Sequence, residues 1–163
     1  MSTLRDLLTD ERRHAALVES LRGLVESEVA AKRGISGAAL KTGFGVVKKL
    51  RPGIIAEAIR ILLPDFADAM QPDFETALGA GAEGSAARFR SELESDPDRS
   101  AERLLAVTDR RISEAGPTLR KTYAGLRKTA KKHVMEAVPG LAQTLEPHLA
   151  AAEGELAAEE TAS

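Results

Sequence analysis

The sequence predicts an all-α fold, a helical bundle built from two tandem pseudo-symmetric repeats. Alanine, leucine, arginine and glutamate dominate the 163 residues, and alternating β-branched residues are nearly absent, which favours helix throughout. Helix start and stop signals recur along the chain, and its two halves carry matching residues in the same order. With 43% hydrophobic and 29% charged residues, the composition is that of one compact domain and not of a disordered chain.

Caps and prolines place the helices of the first half. The residues that can cap or start a helix here are Thr9 or Asp10, Ser36, Pro52 and Pro64. We expect the first long helix to begin near Glu11 and to end at Gly34, because glycine accepts the left-handed conformation that often closes a helix. The next helix should end near Arg51, since a proline disfavours helical backbone in the residue before it.

The second half follows a glycine-rich linker. Ser95–Asp98 is a helix start, with a capping side chain, a proline at the first helical position and an acid facing the positive helix end. We therefore predict a single domain over residues 1–152, made of repeats at about 4–78 and 86–150 joined by a linker at 79–85. Residues 153–163 are acidic and mostly small, which predicts a flexible tail.

Three successive offsets align the two halves of the chain. An offset of 86 residues pairs Asp10 with Asp96 and Ser27–Glu28 with Ser113–Glu114. An offset of 79 residues then pairs Phe44 with Tyr123, Lys48–Lys49 with Arg127–Lys128, and Glu57 with Glu136. An offset of 75 residues finally pairs Pro64 with Pro139 and Pro72 with Pro147. The matches are collinear apart from two gaps, which indicates a tandem duplication of one helical unit. Because a unit of about 70 residues buries only a small core alone, we expect the two copies to share one core.

Apolar residues at helical spacing define the predicted core. Leu40, Phe44 and Val47 share one helical face, as the matching residues of the second copy do. The residues expected to be largely buried are Leu17, Leu21, Leu24, Leu40, Phe44, Val47, Ile55, Leu104, Ile112, Leu119, Tyr123, Leu126, Ala130 and Val134.

Charge is strongly segregated, although the formal net charge is only −2. No acid lies between Glu28 and Glu57 or between Glu114 and Glu136, yet these two segments hold twelve lysines and arginines. The candidate anion-binding residues, which recur at helical spacing, are Lys41, Lys48, Lys49, Arg120, Lys121, Arg127, Lys128, Lys131 and Lys132. The near-neutral total excludes a globally basic nucleic-acid protein, but it does not exclude a local basic patch.

Paired basic helices predict a non-catalytic interaction or scaffold protein that binds an anionic partner. The partner would be a nucleic-acid backbone, an acidic lipid or an acidic protein, held by salt-sensitive contacts. Two alternatives stay open. In the first, the cations pair with the acidic remainder of this chain or of a sister subunit in a homo-oligomer, or are simply solvated. In the second, the protein is a carrier of a small molecule or lipid, with an apolar pocket between the repeats.

Motifs for catalysis, cofactors and metals are weak in this sequence. With no cysteine, thiolate chemistry and cysteine-ligated metals are excluded. The stretch 34–42 ends in Lys-Thr after glycines, but it lacks the glycine before the lysine that a phosphate loop needs. Asp65, Asp68, Asp73 and Glu75 are dense enough to hold a cation, but acids also suit helix starts. We expect no enzyme activity, no cofactor and no metal.

The sequence predicts neither export nor a membrane span. An acid appears almost at once at the N-terminus, and no long apolar run follows it. The most apolar stretch, residues 54–63, contains Glu57 and Arg60 and is much shorter than the roughly 20 residues of a spanning helix. We expect a soluble cytoplasmic protein.

Four stretches of the first half resemble a known family. They are Arg5–Asp10, Glu28–Gly37, Val47–Ile54 and Leu62–Phe66. Through them the chain resembles a family of small uncharacterised actinobacterial all-helical proteins, and the resemblance covers most of the chain. That family has no assigned activity, cofactor or catalytic residue, so the resemblance implies nothing about function.

Overall fold

The chain folds into helices. A computed structural model describes residues 2–163, and this range contains eight α-helices and no strand. The helices are α1 Leu4–Leu8, α2 Glu11–Ala31, α3 Gly34–Leu50, α4 Ile54–Leu78, α5 Ser85–Ser95, α6 Pro97–Ile112, α7 Pro117–Ala150 and α8 Glu153–Ala162. The predicted all-α class is confirmed. None of the helices in the described range combines the length and the apolar character needed to cross a bilayer.

The core lies where α1, α5, α8 and the middle of α2 meet the C-terminal halves of α4 and α7. Its largest fully buried side chains include Phe74, Phe89, Leu4, Leu8, Leu17, Leu93, Leu145 and Leu149. Phe74 and Phe89 meet edge to face, with ring centroids 5.7 Å apart. Because burying each large apolar side chain stabilises a fold by about 1.5–3 kcal/mol, this cluster supplies most of the driving force for packing.

Several predicted helix boundaries are confirmed. The side chains of Asp10 and Asp96 cap α2 and α6, each accepting a hydrogen bond from a backbone N–H of the first turn. Pro97 occupies the first position of α6, where its missing N–H leaves no helical hydrogen bond unmade. As expected from Pro52, α3 ends at Leu50.

Three predicted helix starts are wrong. Ser36 does not cap α3, because the helix begins at Gly34 and its N-cap position is Arg33, whose side chain makes no capping hydrogen bond. The cause is the backbone of Gly34, whose φ of 77° turns the chain between α2 and α3, so the new helix starts three residues earlier than expected. For the same reason α2 ends at Ala31 and does not reach Gly34 as predicted. Neither proline starts a helix: Pro64 lies inside α4, and Pro52 lies before its N-cap residue, Gly53.

Four prolines in all lie inside helices, namely Pro64 and Pro72 in α4 and Pro139 and Pro147 in α7. A proline inside a helix removes one hydrogen bond and costs about 3 kcal/mol or more. The helices continue past these positions because the surrounding turns are buried. Leu63, Met70, Val138 and Leu145, which flank the prolines, are each at most 3% exposed.

The C-terminal segment is not the flexible tail that its composition predicts. It forms α8, in which Leu156 is buried against the core. The carboxylate of Glu153 accepts hydrogen bonds from the backbone N–H groups of Gly84 and Ala86, at 3.1 and 3.0 Å, and so caps the start of α5. The prediction failed because these partners are remote in sequence and no local pattern reveals them.

The predicted core is only partly correct. Leu17 and Leu21 are buried, whereas the other residues of the predicted set are half-buried. Most of those lie on α3, on the first half of α7 and on the parts of α4 and α6 that face them. Apolar spacing identifies the face of a helix that packs, but the depth of burial depends on how many other helices cover that face.

Candidate anion-binding surface

The nine predicted anion-binding residues lie on two helices that pack against each other. Lys41, Lys48 and Lys49 are on α3, and the other six are on the first half of α7. The fold therefore brings both predicted basic segments to one region of the molecule. Gly37 is the sole fully buried residue of α3, so the side chains of this helix lie at or near the surface.

Three of the nine cations pair with carboxylates of α2 and α6. The pairs, with their N–O distances, are Lys48–Glu26 at 3.1 Å, Arg127–Asp109 at 2.9 Å, and Lys131–Asp98 and Lys131–Glu102 both at 2.9 Å. Lys48 also lies over the ring of Phe44, 5.4 Å from its centroid. For these three residues, the alternative of pairing with acids of the same chain is correct.

Asp109 accepts the most hydrogen bonds among these carboxylates. Arg127 donates to both of its oxygens, at 2.9 and 3.1 Å, and the Tyr123 hydroxyl donates as well. The hydrogen bonds from Arg127 and Tyr123 hold the pKa of Asp109 below its usual value of 3.8. Burial, and then the hydrogen bond to Asp109, raise the pKa of Tyr123.

The depressed pKa of Asp109 predicts an acid-sensitive contact between α6 and α7. A carboxyl whose pKa is lower in the folded than in the unfolded state stabilises the fold above its unfolded pKa and loses this effect as the pH falls through the folded pKa. We therefore expect urea unfolding midpoints to fall between about pH 5 and about pH 2, and to fall less in Asp109→Asn. At neutral pH the variant should lose no more than about 1 kcal/mol, because the pair is partly exposed. Identical acid sensitivity of variant and parent would contradict this assignment.

The other six cations have no carboxylate within 4.0 Å in the part of the chain that the structure describes. They are Lys41, Lys49, Arg120, Lys121, Lys128 and Lys132, and all six are exposed. Lys121, Lys128 and Lys132 recur at spacings of seven and four, so they share one face of α7. These six residues are therefore available to an anion from outside the chain.

An open groove runs between α3 and α7. Its volume is about 550 Å³, and it is lined by Ala39, Thr42, Gly43, Val46, Thr118, Lys121, Thr122, Gly125 and Leu126. Lys128 and Lys132 extend the line of Lys121 along α7, and Lys49 lies seven residues beyond Thr42 on the same face of α3. We call the lining residues, together with Lys49, Lys128 and Lys132, the basic groove.

Gly43 allows the two helices of the basic groove to approach closely. A Cβ atom at this position would lie 3.0 Å from Leu126 Cδ1 and 3.1 Å from Thr122 Cγ2, which is closer than ordinary van der Waals contact. With hydrogen in place of a side chain, α3 lies directly on α7. A bulky residue here would force the helices apart and alter the spacing of the lysines on either side.

Lys32 is a cation with a different role, which the sequence did not reveal. Its side chain is 6% exposed, and its Nζ lies 3.2 Å from Glu28 and 2.9 Å from Glu136. The hydrogen bond from Lys32 holds the pKa of Glu136 below its usual value. The triad joins α2 to α7 and takes no part in the basic groove. In the sequence Lys32 looks like any other cation of its segment.

The dense acids of α4 are engaged by arginines. The shortest pairs of three of them are Asp65–Arg111 at 2.6 Å, Asp68–Arg5 at 3.0 Å and Asp73–Arg103 at 2.5 Å. Among residues 2–163, no three or more histidine and carboxylate side chains are grouped so as to hold a metal ion. These acids serve to connect α4 to α1 and α6.

An apolar cavity lies between α2, α4, α6 and α7. Its volume is about 140 Å³, and it is lined by Leu21, Leu24, Val25, Ile59, Leu63, Phe66, Met70, Leu104, Leu141 and Leu145. All ten side chains are apolar, so the cavity offers dispersion contacts and no hydrogen bond to an occupant. It adjoins the core, and the basic groove is a separate depression.

Comparison with known protein families identifies the family of the chain. One family model matches residues 4–149. The chain belongs to DUF6918, a family of unknown function. No match was found among curated proteins or among solved structures. The DUF6918 match confirms membership of a family without an assigned activity, and it includes the whole basic groove but not α8. The actinobacterial origin stays a prediction.

Proposed function

We propose that the protein is a non-catalytic interaction module that binds a polyanionic partner through the basic groove. The observation that carries the proposal is a set of six exposed cations on α3 and α7, two helices in direct contact, that have no carboxylate partner among residues 2–163. Cations held in one place attract a polyanion by releasing its counterions. The absence of catalysis and the cytoplasmic location stay predictions of the sequence.

The contacts across the basic groove support the predicted duplication. The offset of 79 residues pairs Gly43 with Thr122 and Val47 with Leu126. Gly43 lies close to Thr122, the residue that occupies the equivalent position in the second repeat. Equivalent residues of two copies meet each other where a twofold axis passes between the copies, here through the groove. On this interpretation the groove is the seam between two copies of one ancestral unit.

The two copies also divide their cations in the same way. At one pair of equivalent positions, Lys48 and Arg127, both cations pair with a carboxylate of a neighbouring helix. At the neighbouring pair, Lys49 and Lys128, both are exposed and without a carboxylate partner in the described chain. The preceding pair, Lys41 and Arg120, is exposed in the same way. The exposed cations of the two copies therefore occupy equivalent positions, and a duplicated binding surface explains this arrangement.

The carrier alternative is supported by the apolar cavity, but the size of the cavity limits it. Phe66 and Leu141, and Met70 and Leu145, are equivalent positions at an offset of 75, so the cavity lies between the predicted repeats. Its volume of about 140 Å³ suits one small apolar molecule, whereas pockets for larger ligands measure about 300–1,000 Å³. A ligand retained in the native mass spectrum of the protein would favour this alternative. The same spectrum would report whether the chain forms a homo-oligomer.

Binding to fluorescent heparin across a salt series tests the proposal. We expect binding at low salt that weakens steeply as salt rises, and a loss of at least about tenfold in the triple variant Lys121→Glu, Lys128→Glu, Lys132→Glu. The slope of log affinity against log salt should also fall by about two to three, close to one for each lost contact.

A matched pair of single charge reversals controls for net charge. Lys128→Glu lies in the basic groove, whereas Arg110→Glu changes an exposed arginine beside Asp65 and Asp68, away from it. The first should weaken heparin binding and the second should leave it nearly unchanged. Equal effects of the two variants, or no binding by the parent at low salt, would contradict the proposed function.

A further inference from the structure

Exposed apolar side chains accompany the free cations on α3. The large apolar residues that the structure leaves exposed are Ile35 (94%), Leu50 (57%), Ile61 (53%) and Val46 (39%). Three of them are on α3, at spacings of 11 and 4 residues, so they lie along one face of that helix. A single exposed apolar residue is ordinary, but a line of three on one surface helix indicates contact with an apolar phase or partner.

This apolar line borders the basic groove. Val46 lines the groove itself, and Lys49 shares the outward face of α3 with it. Across the groove, Lys121, Lys128 and Lys132 form the facing edge on α7. No acid occurs in residues 29–56 or 115–135. The surface therefore combines apolar side chains and lysines in one place, with no acid from either of its two segments.

The apolar line of α3 takes no part in the buried core. No residue of α3 belongs to the buried core cluster. Glycines in the left-handed conformation stand at both ends of the helix, Gly34 with a φ of 77° and Gly53 with a φ of 80°. Core packing therefore does not explain why large apolar residues occupy the outer face of this helix.

We propose that the anionic partner is the surface of a bilayer rich in acidic lipids, on which α3 lies in the plane of the interface. This inference rests on the proposed function, since it names the partner of the same basic groove. An interfacial helix inserts its apolar side chains among the headgroups while lysines meet the acidic lipids. Each lysine near such a surface strengthens binding by about fivefold.

Lipid explains this surface better than nucleic acid does. A phosphate backbone would engage the lysines but would leave Ile35 and Leu50 in water. Single-stranded nucleic acids are held by stacking on exposed aromatic side chains. The aromatic residues of the two basic helices, Phe44 and Tyr123, are half-buried and engaged, one under Lys48 and the other with Asp109. Acidic headgroups above an acyl layer satisfy both the lysines and the apolar line.

Vesicle cosedimentation with the full chain tests this inference. The probes are phosphatidylcholine vesicles with and without about a third of phosphatidylserine, at low and physiological salt. We expect binding to the acidic vesicles and little to the neutral ones. The double variant Ile35→Ser, Leu50→Ser should lose at least about fivefold in vesicle affinity. The variant Ile61→Ser is the control, because Ile61 is about as exposed as Leu50, at 53% against 57%, but lines a different depression, between α4, α6 and α7.

Heparin binding separates this inference from the proposed function. The Ile35→Ser, Leu50→Ser variant should bind heparin as the parent does, because it keeps every lysine. A parent protein that binds heparin but not acidic vesicles would overturn the lipid inference and leave the polyanion module standing. Tighter binding of duplex or single-stranded DNA than of acidic vesicles at the same salt would overturn it in favour of nucleic acid. Failure to bind either heparin or vesicles would end both proposals.

Discussion

Replacing Phe74 with alanine is expected to lower the free energy of unfolding by about 3–5 kcal/mol, the usual cost of deleting a buried aromatic side chain. Phe74 is 0% exposed and packs edge to face on Phe89 of α5, so the substitution removes both apolar contact and the aromatic pair. The cavity that remains cannot collapse easily, because α4, α5 and α7 surround it in the core cluster.

Urea unfolding followed by circular dichroism measures this loss. The matched control is Ile35→Ala, which also truncates a large apolar residue but at a position 94% exposed, and it should change stability by less than about 0.5 kcal/mol. A loss below about 1 kcal/mol in Phe74→Ala would mean that the buried cluster is not the core of the protein.

Removing the charge of Asp73 is expected to produce the second large loss, about 2–4 kcal/mol in Asp73→Ala. The Asp73 side chain is 6% exposed and pairs with Arg99, at 3.0 Å, and with Arg103. Both arginines lie on α6, so these ion pairs join α4 to α6. Without the carboxylate, two guanidinium groups lose their partner. Each arginine is about a third exposed, so water relieves part of the penalty, and the loss stays below the upper limit for buried pairs.

A double-mutant cycle separates this ion pair from the general effect of truncation. The cycle combines Asp73→Asn with Arg103→Met, and a coupling energy above about 1 kcal/mol is expected for residues in direct contact. Asp68→Asn is the matched control, because Asp68 lies on the same helix with its side chain 52% exposed, and it should cost less than about 1 kcal/mol. Additive effects in the cycle would show that Asp73 does not act through Arg103.

The carboxylates of α4 show that the role of a sequence pattern depends on which residues the fold brings to it. In the sequence alone, the density of acids from Asp65 to Glu75 is compatible with a cation-binding site. In three dimensions Arg5 from α1 and Arg99, Arg103 and Arg111 from α6 reach Asp65, Asp68 and Asp73. Because these arginines are between 26 and 63 residues away in sequence, no local pattern predicts the pairing.

The basic surface was predictable to a larger extent than the core. Two acid-free segments at matching places in the predicted repeats already indicated paired basic helices, and helical spacing placed Lys121, Lys128 and Lys132 on one face. Which cations pair with carboxylates of the same chain was not predictable. Three of the cations differ from their neighbours only because carboxylates of α2 and α6 lie opposite them in the folded chain. The pairs are Lys48 with Glu26, Arg127 with Asp109, and Lys131 with Asp98 and Glu102.

The sequence by itself determined the helical class, the capping of α2 and α6 and the segregation of charge, because each of these follows from residues adjacent along the chain or one helical turn apart. The tertiary structure alone decided that four prolines stay within helices, that residues 153–162 dock as a helix, and that the deepest core lies beside α5 and α8. Those outcomes depend on burial against distant segments, and the free energy of such burial exceeds the local preferences that a sequence displays.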